Sequence, residues 1–381
     1  MSNRDLELLL QTLAIDSTWG QERELAEFIA DQLRQWGADE VRLVESMPGR
    51  PSVGARIKGT GGGRSLILNG HLDTYEVSGD WDTDPFAPYV ADGRIHGSGI
   101  ADMKAATTAS LAVMRRVLES GTRPRGDLVF QGVSCHFEGG VGTRSLIDAG
   151  FTADAAVCGE PTDNTIGAVH RGAAYLEITT YGKQAHTAGK HLGLNAIETM
   201  EPILAALREL EGTLPYEPHP ELPGGPILNI GTIQGGTKHN QVPDRCTISL
   251  DLRLLPSQDP YAVRQQVIAM IDKLSADDPR IRATVEFSPH WLSGPRLPYE
   301  IDTGAPIART VADAVRTTGG DPVFRGIQFW TDMVPLKQAG IDSVNIGPGT
   351  PPYNWANEWV ETSKYLEIVE IYAAAAHAWC S

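Results

Sequence analysis

Residues 64–74 read RSLILNGHLDT, a short apolar run, a glycine, and then a histidine and an aspartate two positions apart. An apolar run of this length bounded by polar residues reads as a buried strand. Three further stretches repeat the pattern. DLVFQGVS (127–134) leads into His136 and Glu138, ADAAVCG (153–159) into Glu160, and DSVNIG (342–347) into the loop GPGTPPYN with Asn354. Between the first two lies MKAATTASLAVMRRVLES (103–120), which reads as a helix, and ERELAEFIADQLRQWGA (22–38) puts Leu25, Phe28, Ile29 and Leu33 on one helical stripe that stops near Gly37. Strands alternating with helices in this order predict an α/β fold, an open mixed sheet with helices on both faces. In such sheets sites gather outside the carboxyl ends of the strands, where these polar residues fall.

The stretch 173–288 has a different period. YLEITTY, ILNIGTI and TISLDLRLL alternate apolar and polar residues, with Ile248, Leu250, Leu252 and Leu254 on one face, so one side is buried and the other wet. Two helical segments, 194–212 and 261–276, interleave to give βαββαβ, an α+β ferredoxin-like arrangement. The expected organisation is a first domain formed by 1–172 and 289–381, with an inserted second domain at 173–288. The segment PYEPHPELPGGP (215–226) reads as a loop within the insert.

A chain of 381 residues with a formal charge of −16 and no basic block excludes nucleic acid and anionic membrane as partners. Four cysteines, Cys135, Cys158, Cys246 and Cys380, form no CxxC pair, so neither a disulfide framework nor a thiolate metal knuckle is expected; the first three fall in strand-like runs. The opening MSNRDLELLLQTLA lacks a basic-then-apolar signal pattern, and no run approaches the ~18 apolar residues of a membrane span. A cytoplasmic location is expected.

Of the polar strand ends, His71 and Asp73 place an imidazole and a carboxylate two apart, so that Asp73 can hold the second nitrogen of a metal-binding His71. HxD alone is more often a chance surface pair. Asp102 leaves a glycine-rich turn at a helix start, where a plain cap is the commoner explanation, and Glu160 ends a strand. Together, one histidine and two carboxylates on adjacent strand ends make a catalytic metal site with an open position.

The motifs NGHLDT, WDTDPFAPYVADGRIHGSGIADMK, GGVGTRSLIDAG, CGEPT, HRGAAYLEITTYGKQAH, NQVPD, DLRLLP, and TDM followed by NIGPG and NEWVE span nearly the whole chain. On them the sequence resembles the co-catalytic metallopeptidases of clan MH, the family of acetylornithine deacetylase, succinyl-diaminopimelate desuccinylase, aminoacylase and carboxypeptidase G. The resemblance implies a catalytic domain with an inserted lid and dimerisation domain. It implies that His71, Asp102 and Glu160 hold a metal, and that His186 reaches across a homodimer to the scissile carbonyl. Asn240, Arg253, His170, Asn354 and Gly349 are then expected at the substrate.

Where the family has DEExGG, this chain has Cys135-His136-Phe137-Glu138-Gly139-Gly140, so His136 takes the place of the general base and Phe137 that of a ligand to the second metal. That metal's late histidine becomes Asn354. The expectation is one divalent metal per chain, zinc or manganese, with the second site dismantled. His136 is open to three roles, as base, ligand or substrate orienter. In a rival alignment Glu138 slips into a ligand place. Thr331-Asp332-Met333 replaces the family's TDAR, removing an arginine for a substrate carboxylate, while Phe329, Trp330, Tyr353 and Trp355 offer an aromatic or apolar lining.

The function expected is metal-dependent hydrolysis of an amide or related C–N bond in a small molecule, an N-acyl amino acid, a dipeptide-like compound or an aromatic substrate, with His136, Asp73 and His186 assisting. Alternatives are acyl or peptidyl transfer and aromatic amine hydrolysis on the same scaffold. A third is a non-catalytic binding protein, against which the intact His71, Asp102 and Glu160 set speaks.

Overall fold

All six residues of Leu66–His71 are buried, and so are all six of Leu128–Val133. Side chains on a strand alternate between faces, so burial of every one means both faces of the sheet are covered. The computed structural model describes residues 3–289, 294–350 and 356–381. The chain divides into one unit of Met1–Ala168, Ile301–Arg325 and Thr331–Ser381, and another of Val169–Glu300 with Gly326–Trp330.

In the first unit six strands follow the order Glu40–Met47, Arg50–Ile57, Leu128–Val133, Leu66–His71, Ala155–Cys158 and Asp342–Asn345. The last four run parallel and the first two antiparallel, giving the mixed sheet expected. The helix Arg23–Gln35 buries Leu25, Ile29 and Leu33, and the chain leaves it through Gly37 at φ +88°. That left-handed geometry favours glycine, which is why the stripe stops there. Cys135 corrects one expectation. It follows the strand Leu128–Val133 with φ +63°, in the turn rather than the sheet, while Cys158 and Cys246 do lie in strands. All four cysteines are buried and unbridged.

In the second unit an antiparallel sheet takes the order Ile227–Gly235, Arg245–Leu254, Gly172–Tyr181 and Ala283–Phe287. Every second residue of Arg245–Leu254 is buried, as the alternation requires. These pack with Met200, Ile203, Val267 and Ile271 from the helices Ala196–Thr213 and Pro260–Asp277. Truncating a central residue such as Ile248 to alanine removes roughly 2–5 kcal/mol. Both helices start on a side-chain cap, Asn195 and Asp259, whose oxygens accept from the first free amides. Beyond this core, Val169–His170 pairs with Tyr299–Glu300. No helix among the described residues is long and apolar enough to cross a membrane.

Candidate metal centre

Gly70 lets the end of the strand Leu66–His71 approach the helix Ala105–Ser120: a Cβ there would meet Thr107 Oγ1 at 2.4 Å. The Thr107 hydroxyl donates to the His71 carbonyl at 3.0 Å. This contact puts His71 beside the turn that delivers Asp102. His71 Nε2 stands 3.0 Å from Asp102 Oδ1, while Nδ1 donates to the Asp73 backbone carbonyl at 2.7 Å. With Nδ1 committed as donor, the Nε2 lone pair is the one that can serve a metal. His71 and Asp102 thus bring an imidazole nitrogen and a carboxylate oxygen together, donors of the kinds that would hold a divalent metal.

The Asp73 result corrects the expectation for its side chain. The strand ends at His71, so the chain turns and the carbonyl of residue 73 reaches the imidazole first. The carboxylate stays 4.0 Å from Nδ1 and instead accepts from the Phe137 amide at 3.2 Å. Burial pushes Asp73 up to about 6 despite His71 and His136 beside it.

Glu160 ends the next strand over, and an oxygen of it lies within 4.8 Å of one nitrogen each of His71 and His136. Burial pushes its carboxyl up to about 7 against the pull of both imidazoles. Burial also opposes a charged His71, but the hydrogen bond and charge of Asp102, with Glu160 and Asp73 behind, push it up to about 10. The carboxylates of Asp102, Glu160 and Asp73 around the buried imidazole favour positive charge at this place.

His136 sits differently. Its Nδ1 is 2.9 Å from Asp332 Oδ2 and its Nε2 is 3.9 Å from Glu160 Oε1. Its ring stacks on His71 at 4.4 Å with 20° between the planes. A ring nitrogen's lone pair lies in the ring plane, so two nearly parallel stacked rings do not converge on one ion. Burial and His71 oppose charging His136, and Asp332 with Glu160 outweigh them, raising its pKa. Asp332 is buried, which resists ionisation, yet the charge and hydrogen bond of His136 hold it below the ordinary aspartate range. Asp332 stands in the TDM motif, where the sequence itself points only to the lost arginine and carries no sign of a partner for His136.

Glu138 is engaged elsewhere. Its Oε1 accepts from Arg50 and, at 2.5 Å, from the Trp19 indole N–H, and Arg50 also pairs with Glu22 at 2.9 Å. The side chain is 5% exposed. In the rival alignment this carboxylate would face the metal; here it is turned to a buried guanidinium. Gly349 is buried at φ +116° against Ala101, next to Asp102. Asn354, Tyr353 and Trp355 lie outside the described residues.

The remaining expected residues belong to the second unit. His186 is exposed, its Nδ1 accepting from the Ala188 amide at 3.1 Å. Asn240 is its neighbour: the adjoining Gln241 pairs with His186, and the Asn240 carbonyl accepts from Thr187 at 3.1 Å. Arg253 pairs with Asp251 at 2.8 Å. His170 is buried, donating to the Arg171 carbonyl at 2.8 Å and stacking on Tyr299. Trp330 is buried edge-on to His170, with the Arg296 guanidinium over its face at 5.1 Å.

Residues 169–279 match the family described as the peptidase dimerisation domain, M20_dimer. Over 365 residues the chain is 30% identical to an N-formyl-4-amino-5-aminomethyl-2-methylpyrimidine deformylase of Bacillus subtilis, covering 88% of this chain and 84% of that one. It is 27% identical to a succinyl-diaminopimelate desuccinylase of Corynebacterium glutamicum, covering 89% and 86%. An M20 family metallo-carboxypeptidase from Sulfolobus solfataricus superposes with a TM-score of 0.80 at 19% identity over 100% of this chain and 99% of that one, a likeness of fold.

Proposed function

The chain belongs to the M20 family of metal-dependent amidohydrolases and peptidases, and from that membership we propose that His71, Asp102 and Glu160 hold one divalent cation, zinc or manganese, beside which His136 transfers protons. The donor set fits: one imidazole with its other nitrogen anchored and two carboxylates, in a pocket poised for positive charge. When bound, the cation polarises the amide carbonyl and favours ionisation of water. Phe137 supplies no ligand atom where the family's second ion takes a carboxylate, which supports a count of one.

The observation that carries the reading is the His136–Asp332 pair. Asp332 fixes Nδ1 as the protonated nitrogen, so that the Nε2 lone pair is the one to take a proton from the attacking water and return it to the departing nitrogen. The imidazolium formed between those steps is stabilised by the Asp332 carboxylate, which stays ionised. The relatives' names, which speak of N-formyl and succinyl compounds, support a small N-acyl substrate.

The dimerisation match supports a homodimer formed through the second unit. Its edge strand Ile227–Gly235 leaves Ile227 47% and Ile233 55% exposed, a surface suited to pairing. His186 and Asn240, adjacent and exposed, are then the residues offered to the partner's active site. Elemental analysis of purified protein, with turnover of N-formyl amines after metal loading, tests the proposal. One equivalent with activity supports it, and activity that needs two equivalents refutes the single-ion site.

A further inference from the structure

Next to the metal ligands the first unit displays three aromatic side chains that the proton transfer does not use. Tyr75 is 49% exposed and Trp19 54%, and Phe137 is half-buried. The Phe137 ring lies 5.8 Å from the His71 ring and meets His136 edge-on at 5.5 Å. Tyr75 leans on its other side at 4.5 Å. Phe137 and Trp19 are tethered. The Phe137 amide donates to buried Asp73, the Trp19 amide donates to the Thr74 carbonyl at 2.9 Å, and the Trp19 indole is pinned by Glu138. Aromatic rings grouped at the surface mark a binding site, and rings fixed beforehand lose little entropy when a ligand arrives.

We propose that Phe137 and Tyr75, flanked by Trp19, form a subsite for a flat aromatic group attached to the scissile amide, neutral or cationic in charge. The proposal rests on the reading of His71, Asp102, Glu160 and His136 as the reacting centre. Phe137 touches both histidine rings, so any substrate held at that centre extends across or away from it. The two aromatic planes meet at 49°, offering an edge and a face to a third ring. Charge narrows the class further. Residues 76–84, just after Tyr75, carry Glu76, Asp80, Asp82 and Asp84 with no Lys or Arg among them, and the Arg50 guanidinium over the Trp19 ring is already paired with Glu22 and Glu138, so the field disfavours a substrate carboxylate. Phe137 therefore does more than vacate a ligand position, since its ring replaces a charged wall of the pocket with an apolar one.

The test uses full-length, metal-loaded protein and three probes, N-formylbenzylamine, N-formylbutylamine and N-formylglutamate. The wild type should favour the benzyl over the butyl compound about tenfold in kcat/KM, the worth of one good aromatic pair, with the glutamate poorest. Phe137→Leu should erase the preference mainly through KM while metal content stays unchanged. Equal kcat/KM for benzyl and butyl probes, or a loss in Phe137→Leu shared equally by both, overturns the subsite. If none of the probes turns over, binding of benzylamine and butylamine to the metal-loaded protein reads the subsite alone. Benzylamine binding that Phe137→Leu weakens upholds the subsite and puts the failure on the proposed reaction, whereas equal binding of the two amines overturns the subsite.

Discussion

His71 and His136 lie face to face, 4.4 Å apart and 20° from parallel, and the two imidazoles therefore serve different partners. His71 turns Nε2 to Asp102, while His136 is held from behind by Asp332. His136→Ala should retain the metal and lose turnover by about 10²- to 10⁴-fold, the range of a general base. His71→Ala should lose the metal itself. Elemental analysis run beside kinetics separates the two, and a metal-free His136→Ala protein would make His136 a ligand.

Glu138 shares Arg50 with Glu22 in a buried cluster. For chemistry, substitution by glutamine should be mild, because the carboxylate faces Arg50 and Trp19. For stability the burial changes the forecast, because the Arg50 charge then loses one of its carboxylates in a dry setting. Glu138→Gln should cost roughly 1–3 kcal/mol in urea unfolding, with metal content unchanged. Metal lost at unchanged stability would restore the rival alignment.

The sheet was legible because its strands are short apolar runs with polar ends, and the second unit because its alternation is strict in residues such as Ile248 and Leu250. His71, His136 and Glu160 could be grouped from their strand-end positions, and Asp102 from a glycine-rich turn at a helix start. The His136–Asp332 contact could not, because 196 residues separate the pair and no local period links them. Asp73 misled for a related reason: spacing of two implies a shared face only while the strand continues, and this one stops at His71. Arg50 was invisible as the partner of Glu138, since nothing in RPSVGARI marks one arginine as buried.

Glu358 gives a pH signature from beside the turn that delivers Asp102. Its carboxylate accepts from the Gly99 and Ala101 amides, and burial pushes its pKa up to about 7 in spite of those bonds. The folded chain thus holds this proton more tightly than the unfolded one, whose glutamate titrates at about 4.5. The stability it contributes is complete below that value and is lost as pH rises towards 7. In metal-free protein, Glu358→Gln should gain on wild type by roughly 3 kcal/mol between pH 4 and pH 8, read by denaturant unfolding. A difference independent of pH would mean that Glu358 is ionised throughout.

Assembly is checked by mass. The protein should sediment as a dimer at micromolar concentration, and Ile233→Lys, which charges the exposed edge strand, should shift it to monomer. Turnover should fall with it if His186 acts on the partner's substrate. Full activity in the monomer would remove His186 from the reaction.

Asp332 offers the most selective probe of the proton transfer. It touches His136 Nδ1 and, in the proposed mechanism, neither substrate nor metal, so it is a positioning residue whose loss should appear in the chemical step. Asp332→Asn keeps size and hydrogen-bonding reach but can donate to Nδ1, which moves the proton to Nε2 and leaves no lone pair facing the water. By analogy with other Asp–His pairs, kcat should fall on the order of 10²- to 10⁴-fold. KM and metal content should hold, because His71, Asp102 and Glu160 are unaltered. If Asp332 merely anchored the short helix Met333–Gln338, the variant would lose stability and the two kinetic constants would not separate. A fall in kcat alone, at unchanged melting temperature and one metal per chain, is the outcome that assigns the pair its role.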